Sequence, residues 1–421
     1  MLWYWRSFYD KTEVGVRESV HYSSEGEKVM QDKKQSYTKE LGLETFLFPV
    51  IFIGFFMLFA YRMGLANMLN TVMNTAYRLL IDTVLYITAV CVIMGAVSAL
   101  LAEFGFVSLV NRLLQPFMKP LYGLPGVAAL GVVTTFLSDN PAILTLAEDK
   151  GFRRYFLKYQ FPALTNIGTS FGMGLIVCTY MYSLSPLMGQ SLSMSVFAGL
   201  AGAVAGSIVS TRLMLFFSKK HFGEEESMSS AQITGTEKVP EQMRPIRNGG
   251  IGSRMMAALL EGGHSGVRMG ISIVPGVLII CTIVMMLING PSESGEYTGA
   301  AYEGIRLLPL LAGKLNFILR PLFGFTSPEA VGVPVTALGA AGASLSLTST
   351  LVSNGLAGPS DIAVFTAMCM CWSGYLSTHA SMMDSLDCKE LIGKAIVSHT
   401  AGGIAAGFAA HWLYVLIQTL L

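Results

Sequence analysis

Seven apolar runs in this chain are each long enough to cross the hydrocarbon core of a membrane. A core of about 30 Å takes about 20 helical residues. Inside it every backbone polar group must be paired within the protein, so runs of this length form helices. The sequence therefore predicts an all-α, polytopic membrane protein. The predicted crossings are residues 44–61, 82–102, 159–182, 193–217, 269–289, 362–385 and 394–420.

The charged residues are few and are concentrated in two segments. Only 13% of the residues are charged, against about 25% in soluble proteins. Residues 1–41 hold 14 of the 55 charges and residues 218–254 hold 11. A net charge of +1 provides no basic face, so no nucleic-acid partner is expected. Residues 1–41 lack an apolar stretch followed by a cleavage site, and we interpret them as a cytosolic tail.

Two further apolar segments, 124–150 and 327–356, are interrupted midway by polar residues. The first interruption is Ser138 to Pro141 (SDNP), and the second is Ser344 to Thr350 (SLSLTST). Each half has about 12 residues, too few to span a bilayer. Irregular backbone at membrane depth has to be buried in protein or line a cavity. Both segments are therefore predicted to form re-entrant helical hairpins.

Short sequence matches recur about 200 residues apart and indicate an internal repeat. Residues 119–123 (KPLYG) match residues 320–324 (RPLFG), and residues 201–205 match residues 401–405. Thr169-Ser170 is paired in the same way with Ser377-Thr378. The predicted domains are a cytosolic N-terminal tail (1–41), an extra transmembrane helix (42–62), repeat 1 (63–217), a cytosolic linker (218–252) and repeat 2 (253–421).

The basic loops predict how the chain is threaded through the cytoplasmic (inner) cell membrane. Loop 218–254 carries six Lys or Arg residues, whereas loops 183–192 and 290–303 carry none. Basic loops stay in the cytosol. The N-terminus is then cytosolic, the C-terminus lies outside, and the two repeats run in opposite directions. Inverted-topology repeats, each with a re-entrant hairpin, are the architecture of secondary transporters.

The segments PLYGLP (120–125) and VAALGVVTTFLSDNPAI (127–143), with their echo at 321–351, carry a family resemblance. They resemble the nucleoside-recognition (Gate) domain family of membrane proteins, in particular its YjiH-like members, over most of residues 63–421. The resemblance implies a transport-like core. The same domain occurs in concentrative nucleoside transporters, in ferrous iron transport protein B and in spore maturation membrane proteins. This chain has no GTP-binding P-loop, so the motor of the iron transporter is missing.

The interruption at Ser138, Asp139 and Asn140 is the sharpest candidate for a substrate-binding site. An acid at mid-membrane depth is costly and by default functional. Asp139 can bind Na⁺, accept a proton or hydrogen-bond a polar solute. The structural alternative is that Asn140 caps a half-helix that begins at Pro141. Both interpretations are open at this point.

Three polar residues inside crossing 159–182 are the next candidates: Asn166, Thr169 and Ser170. Hydroxyls and an amide beside a helix that glycines loosen suit a cation or a hydroxyl group. They suggest a Na⁺ site near Asp139 and Asn166. The structural alternative is close packing of helices through small residues.

The predicted counterparts in repeat 2 lie on the second hairpin and on crossing 362–385. His379 is a rare ionisable group in an apolar helix and could relay a proton. Its structural alternative is a hydrogen bond to a neighbouring helix. The candidate residues are Ser346, Thr348, Ser349, Ser377, Thr378 and His379.

The function that these features favour is secondary active transport of a small polar solute, coupled to Na⁺ or H⁺. Alternating access would arise from rocking between the inverted repeats, and the resemblance suggests a nucleoside-like solute. No resident cofactor is expected besides the coupling ion, and the amphipathic helices permit a homo-oligomer.

The alternative hypothesis is a non-transporting membrane scaffold of the spore-maturation type, with loop 218–254 as its docking segment. An enzyme is not predicted, because no nucleophile paired with a base is visible in the sequence.

Overall fold

A computed structural model of the chain describes residues 41–148, 150–153, 155–224, 246–292 and 294–420. The elements in these ranges are helices, so the predicted all-α class is confirmed. All of the predicted tail except residue 41 lies outside the described residues, and so do residues 225–245 of the linker. The predicted domain boundaries stay predictions.

Six helical stretches in the described ranges are long and apolar enough to cross a membrane, and the protein is a multi-pass membrane protein. They contain six of the seven predicted crossings, apart from residue 289. The seventh, 362–385, is two helices rather than one, and 159–182 is likewise interrupted between Thr169 and Gly174. The six stretches are Leu43–Met63, Leu65–Glu103, Lys158–Met188, Ser193–Phe222, Ile251–Ile288 and Lys389–Leu420.

The part of the chain before the linker, called here the first half, contains nine principal helices among its described residues. A π-helical turn, Leu79–Val84, joins the second to the third without a break. The helices are α1 Leu43–Met63, α2 Leu65–Arg78, α3 Leu85–Glu103, α4 Phe106–Phe117, α5 Ala128–Leu137, α6 Ala142–Glu148, α7 Ala163–Thr169, α8 Gly174–Ser183 and α9 Ser193–Phe222.

The part after the linker, the second half, also contains nine principal helices. A short turn with Pro275 and a π-helical turn, Val277–Cys281, link the first two into one long rod. The helices are α10 Ile251–Ser272, α11 Thr282–Ile288, α12 Leu307–Lys314, α13 Asn316–Phe323, α14 Gly332–Ala337, α15 Ala341–Ser353, α16 Pro359–Trp372, α17 Tyr375–Ser385 and α18 Ile392–Leu420.

The same order of elements occurs in both halves. Each has a long rod with a π-helical turn, a shorter helical segment, two broken helix pairs and a final helix of about 30 residues. The shorter segments end at Gly123 and Gly324, which have φ of 71° and 62°. That left-handed conformation favours glycine and stops a helix. The matching sequences KPLYG and RPLFG therefore end helices in the same way. The opposite orientation of the halves stays a prediction.

Glycines bring helices of the two halves into backbone contact. A Cβ added to Gly95 on α3 would lie 2.4 Å from the carbonyl oxygen of Gly262 on α10, and one added to Gly262 would lie 2.3 Å from that of Gly95. Between α9 and α18, a Cβ on Gly206 would lie 2.4 Å from the carbonyl oxygen of Gly402. Each contact joins a first-half helix to a second-half helix and permits no side chain at the glycine.

The second hairpin is interrupted at a different place from the one predicted. Residues Ser344 to Thr350 lie inside α15, and the break is at Leu338 to Ala340. The hydroxyls of Ser344, Thr348 and Thr350 bond back to carbonyls of the helix itself, as Thr348 Oγ1 does to Ser344 at 2.8 Å, so they do not disrupt it. The chain turns where Ala340 adopts an extended conformation ahead of α15.

The predicted crossing 362–385 is broken at Ser373 and Gly374, which have φ of 27° and 70°. Those values leave the right-handed helical region. The break also corrects the pairing of Thr169-Ser170 with Ser377-Thr378. Thr169 ends α7 before its break, whereas Ser377 and Thr378 lie in α17 after the break. The two pairs are therefore not at equivalent positions.

Candidate functional site

Four helix interruptions, two from each half, are joined at one place. They are 138–141 between α5 and α6, 170–173 between α7 and α8, 338–340 between α14 and α15, and 373–374 between α16 and α17. The Ser373-Gly374 turn contacts the other three.

Hydrogen bonds define this junction. The side-chain amide of Asn140 donates to the carbonyl oxygen of Ser373 at 2.8 Å. The N–H of Gly374 donates to the carbonyl oxygen of Ala337, the last residue of α14, also at 2.8 Å. Ser373 Oγ donates a longer bond, 3.4 Å, to the carbonyl oxygen of Gly172. The backbone groups that the broken helices free are thus partly paired across the junction, as burial in a membrane requires.

Glycine is required at position 172 by the approach of Asn140. A Cβ added to Gly172 would lie 1.6 Å from Asn140 Oδ1 and 2.9 Å from Ser373 Oγ. The next residue, Met173, has φ of 55°, a conformation uncommon for residues other than glycine. Strain of this kind clusters at functional sites. The break between α7 and α8 therefore has room at Gly172 for the Asn140 side chain from the break between α5 and α6.

A cavity of about 480 Å³ lies at the junction and is called here the central cavity. All four breaks contribute to its lining, and the C-terminal end of α10 with the π-helical turn after it supplies another wall. Its aliphatic lining includes Ile273, Ile279 and Ile280. Its polar lining consists of Asp139, Asn140, Ser272, Ser373 and Thr378.

Asp139 is the one charged residue among the described residues that line the central cavity. Its Oδ1 accepts a hydrogen bond from the N–H of Asn140 at 2.7 Å. No ion pair involves Asp139 within the described ranges. A carboxylate among apolar helices without a cationic partner is costly unless a ligand or a proton supplies the missing charge.

Three of the predicted site residues, Asp139, Asn140 and Thr378, line the central cavity. Ser138 lines a separate cavity of about 320 Å³ along α3 and α10, and its hydroxyl donates to the carbonyl oxygen of Thr134 at 2.7 Å. Ser349 lines a third cavity, of about 520 Å³, with Asp82. The predicted residues of the first hairpin therefore face two different cavities.

Asn166, Thr169 and Ser170 are fully buried and do not line the central cavity. The amide of Asn166 donates to Ser210 Oγ at 3.0 Å and to the carbonyl oxygen of Ala395 at 3.2 Å. Ser170 Oγ bonds back to the carbonyl oxygen of Asn166. Asn166 thus ties α7 to α9 and α18, although its Oδ1 accepts no bond from any described residue.

Ser346 and Thr348 are fully buried within α15, away from the lining of the three cavities described above. Ser377 lies in α17, and its side chain is outside the described part of the structure. The polar stretch of the second hairpin therefore contributes to a cavity through Ser349 and Thr350, which line the third one.

His379 lies in a buried cluster with His399, called here the histidine pair. The ring centroids are 4.5 Å apart. His399 Nε2 lies 2.5 Å from the carbonyl oxygen of Cys371, and its Nδ1 lies 2.9 Å from Ser210 Oγ. Because a carbonyl can only accept, Nε2 carries hydrogen and Nδ1 of the neutral ring accepts. Neither nitrogen of His379 has a partner among the described residues. The predicted hydrogen bond of His379 to a neighbouring helix is therefore absent from that part of the chain.

Ser373 and Gly374, which hold the junction together, were not among the predicted site residues. A signal for them exists, because a Ser-Gly dipeptide marks turns even within an apolar run. Ser272 and the residues after it on the α10 side were missed as well. Pro275-Gly276 is a turn signal in that segment, but only packing places these residues at the cavity.

The described residues contain no cluster of three or more His, Cys, Asp or Glu side chains that could hold a metal ion. The predicted Na⁺ site near Asp139 and Asn166 stays a prediction. Of the two residues named for that site, Asp139 lines the central cavity and Asn166 does not. The oxygens there, a carboxylate and the Asn140 amide, are the hard ligands that alkali and alkaline-earth cations take.

No protein-family model and no curated protein matches the sequence. Solved structures of CNTnw, a concentrative nucleoside transporter, are similar to this protein in backbone fold. The inward-facing, substrate-bound structure has a TM-score of 0.49 and 13% identity, covering 78% of this chain and 75% of that one. A variant in an outward-facing state has a TM-score of 0.49 and 15% identity, covering 80% and 76%. At such distance the likeness says nothing of the solute.

Proposed function

We propose that this membrane protein is a secondary active transporter of a small polar solute. The observation that carries the proposal is the central cavity, formed where broken helices from both halves meet around the unpaired carboxyl of Asp139. Discontinuous helices that meet between two halves of a chain are how transporters build a site within the membrane. In the transport cycle this cavity opens to each side of the membrane in turn.

The coupling ion is Na⁺ or H⁺, and Asp139 is the group through which either acts. A carboxylate beside the Asn140 amide oxygen can ligate Na⁺, and the same carboxyl can carry a proton. The histidine pair is a second candidate for proton transfer, because His379 has no hydrogen-bond partner in the described residues.

The lining of the central cavity favours an aliphatic solute over a nucleoside. None of the described lining residues is aromatic, so there is no ring on which a flat base could stack. We therefore prefer a small polar solute with an aliphatic body. The nucleoside-like solute that the family resemblance suggests fits this lining less well.

Uptake by purified protein in proteoliposomes tests the proposal. Amines, amino acids, nucleosides and organic acids are each offered with and without a Na⁺ or pH gradient. We expect gradient-driven uptake of one class, lost in Asp139→Asn and kept in Asp384→Asn. Asp384 is the matched control because its side chain is 54% exposed and bonds Lys389 at the surface.

Wild-type uptake by Asp139→Asn would contradict the role of Asp139 in coupling. Transport itself would be contradicted by no flux of any solute together with a stoichiometric partner that is lost when residues 225–245 are deleted, which supports the scaffold alternative.

A further inference from the structure

We propose that the solute docks at Asp139 through a positively charged, hydrogen-donating group, an organic ammonium that carries a compact aliphatic body. The inference rests on the proposed function, in that the central cavity is taken as the solute site. It adds the charge and the shape of the solute.

The two side chains of the first hairpin offer acceptors to the cavity. One of the two amide hydrogens of Asn140 is committed to the carbonyl oxygen of Ser373, and its Oδ1 has no partner among the described residues. Asp139 Oδ1 accepts one bond from the N–H of Asn140, and no bond to Oδ2 occurs in the described part of the chain. An ionised carboxylate has about four lone-pair sites and donates nothing.

Each of the three hydroxyls of the lining has a backbone carbonyl as acceptor, at normal bond length for Ser272 and at longer distances for Ser373 and Thr378. Ser272 Oγ donates to the carbonyl oxygen of Met269 at 2.7 Å. Ser373 Oγ donates to that of Gly172 at 3.4 Å, and Thr378 Oγ1 to that of Gly374 at 3.5 Å. A hydroxyl has one hydrogen and two lone pairs, so each presents lone pairs to a ligand. The polar side chains of the cavity thus form a set of acceptors, which a ligand rich in donors satisfies.

The charge of the side chains that line the central cavity also favours a cationic ligand. Asp139 brings one negative charge to the cavity lining, and no described lining residue is cationic. A ligand with a single positive charge pairs the carboxylate, whereas an anion would add repulsion to the cost of burial. The ligand that fits is a monovalent cation with N–H donors.

The shape of the cavity separates an ammonium solute from a bare metal ion. About 480 Å³ is many times the volume of about 30 Å³ that one water takes in the liquid. The lining contributed by the end of α10 and the turn after it is aliphatic, with Ile273, Ile279 and Ile280. Hydrocarbon against these side chains is stabilised by burial.

The experiment is isothermal titration of the purified full chain in detergent with three probes that share one body. They are 3-methylbutylammonium, 3-methylbutan-1-ol and 3-methylbutanoate, and NaCl alone is a fourth arm. We expect saturable binding of the ammonium, no saturable binding of the alcohol or the carboxylate, and about 10- to 100-fold weaker ammonium binding by Asp139→Asn. Asp384→Asn should bind like the wild type.

Three results would overturn the inference: equal binding of the alcohol or the carboxylate, ammonium binding unchanged in Asp139→Asn, or Asp139-dependent binding of Na⁺ without the ammonium. The three-probe series uses the wild type and is decisive even if Asp139→Asn does not fold. Ammonium binding without flux refutes transport but leaves the site. Gradient-driven uptake of a neutral solute without ammonium binding refutes only the inference.

Discussion

The side-chain amide of Asn140 donates a hydrogen bond to the carbonyl oxygen of Ser373, 2.8 Å away and 233 residues later in the chain. Asn140 belongs to the tip of the first hairpin, and Ser373 to the break between α16 and α17. The bond therefore fixes a first-half break against a second-half break at the wall of the central cavity. Residues that hold these two groups in place should control solute binding.

Gly172→Ala should weaken solute binding and transport. Its Cβ would occupy the place of Asn140 Oδ1, so Asn140 has to turn away and lose its bond to Ser373. Loss of one buried hydrogen bond costs about 1 kcal/mol of folding stability, so the protein should still fold. Thermal melting and ligand titration measure the two effects.

Gly263→Ala is the matched control, since its added Cβ would meet only a Val92 carbon at 3.8 Å, an ordinary contact. Unchanged binding in Gly172→Ala would show that the Asn140 contact has no part in the site.

Glu103→Gln should lower the melting temperature by a few degrees. The Glu103 side chain is 4% exposed and accepts from Arg254 Nε at 2.7 Å and from Arg247 at 2.5 Å. The substitution leaves two arginines without their shared carboxylate. Glu261→Gln also removes a partner of Arg247, but that side chain is 68% exposed, and exposed pairs contribute little. Equal effects of the two substitutions would contradict the prediction.

His379→Leu and His399→Leu should differ in stability. The nitrogens of His379 have no described partners, so an apolar side chain there should leave the melting temperature unchanged or raise it. His399→Leu removes the bonds to Ser210 and to the carbonyl oxygen of Cys371, a loss of about 1–3 kcal/mol. Melting of the two variants in one detergent checks this. Similar destabilisation by both would mean that His379 is hydrogen-bonded in solution.

Glu303 should make stability fall in acid. Burial alone would raise the pKa of this loop carboxyl, but bonds from the hydroxyl and N–H of Thr298 and the N–H of Gly299 bring its pKa below the ordinary value. A lowered pKa stabilises the fold above the ordinary value of 4.5, and the contribution is lost as pH falls through the folded value. Melting measured from pH 7 downwards should decline less steeply in Glu303→Gln. Parallel wild-type and variant curves would exclude Glu303 as a cause.

The helices and their ends could be predicted because their signals are local. Long apolar runs predict spanning helices, and a glycine after KPLY or RPLF predicts where a helix stops. The first hairpin break was found for the same reason, since an Asn-Pro pair punctuates a helix wherever it occurs.

The position of the break in crossing 362–385 has only a weak local signal, and the role of Asn166 has none, because both depend on tertiary contacts. Ser373 and Gly374 lie in an apolar run, and their turn is held by Asn140 and Ala337 from distant parts of the chain. Asn166 has the composition of a ligand-binding residue, yet it is fully buried against Ser210 and Ala395. The sequence shows that a Ser-Gly turn and a buried asparagine are present, but it does not show which residues they contact.

The glycine contacts determine which bodies can move. Between α3 and α10, and again between α9 and α18, backbone meets backbone, so parting the helices would leave a void that no side chain can fill. On the transport proposal, we expect each rigid body of the cycle to contain helices from both halves. Spin labels on α3 and α10 should keep one distance with and without solute, whereas the distance from α3 to α18 should change. The two halves would then be units of sequence, with units of motion that are interleaved across them.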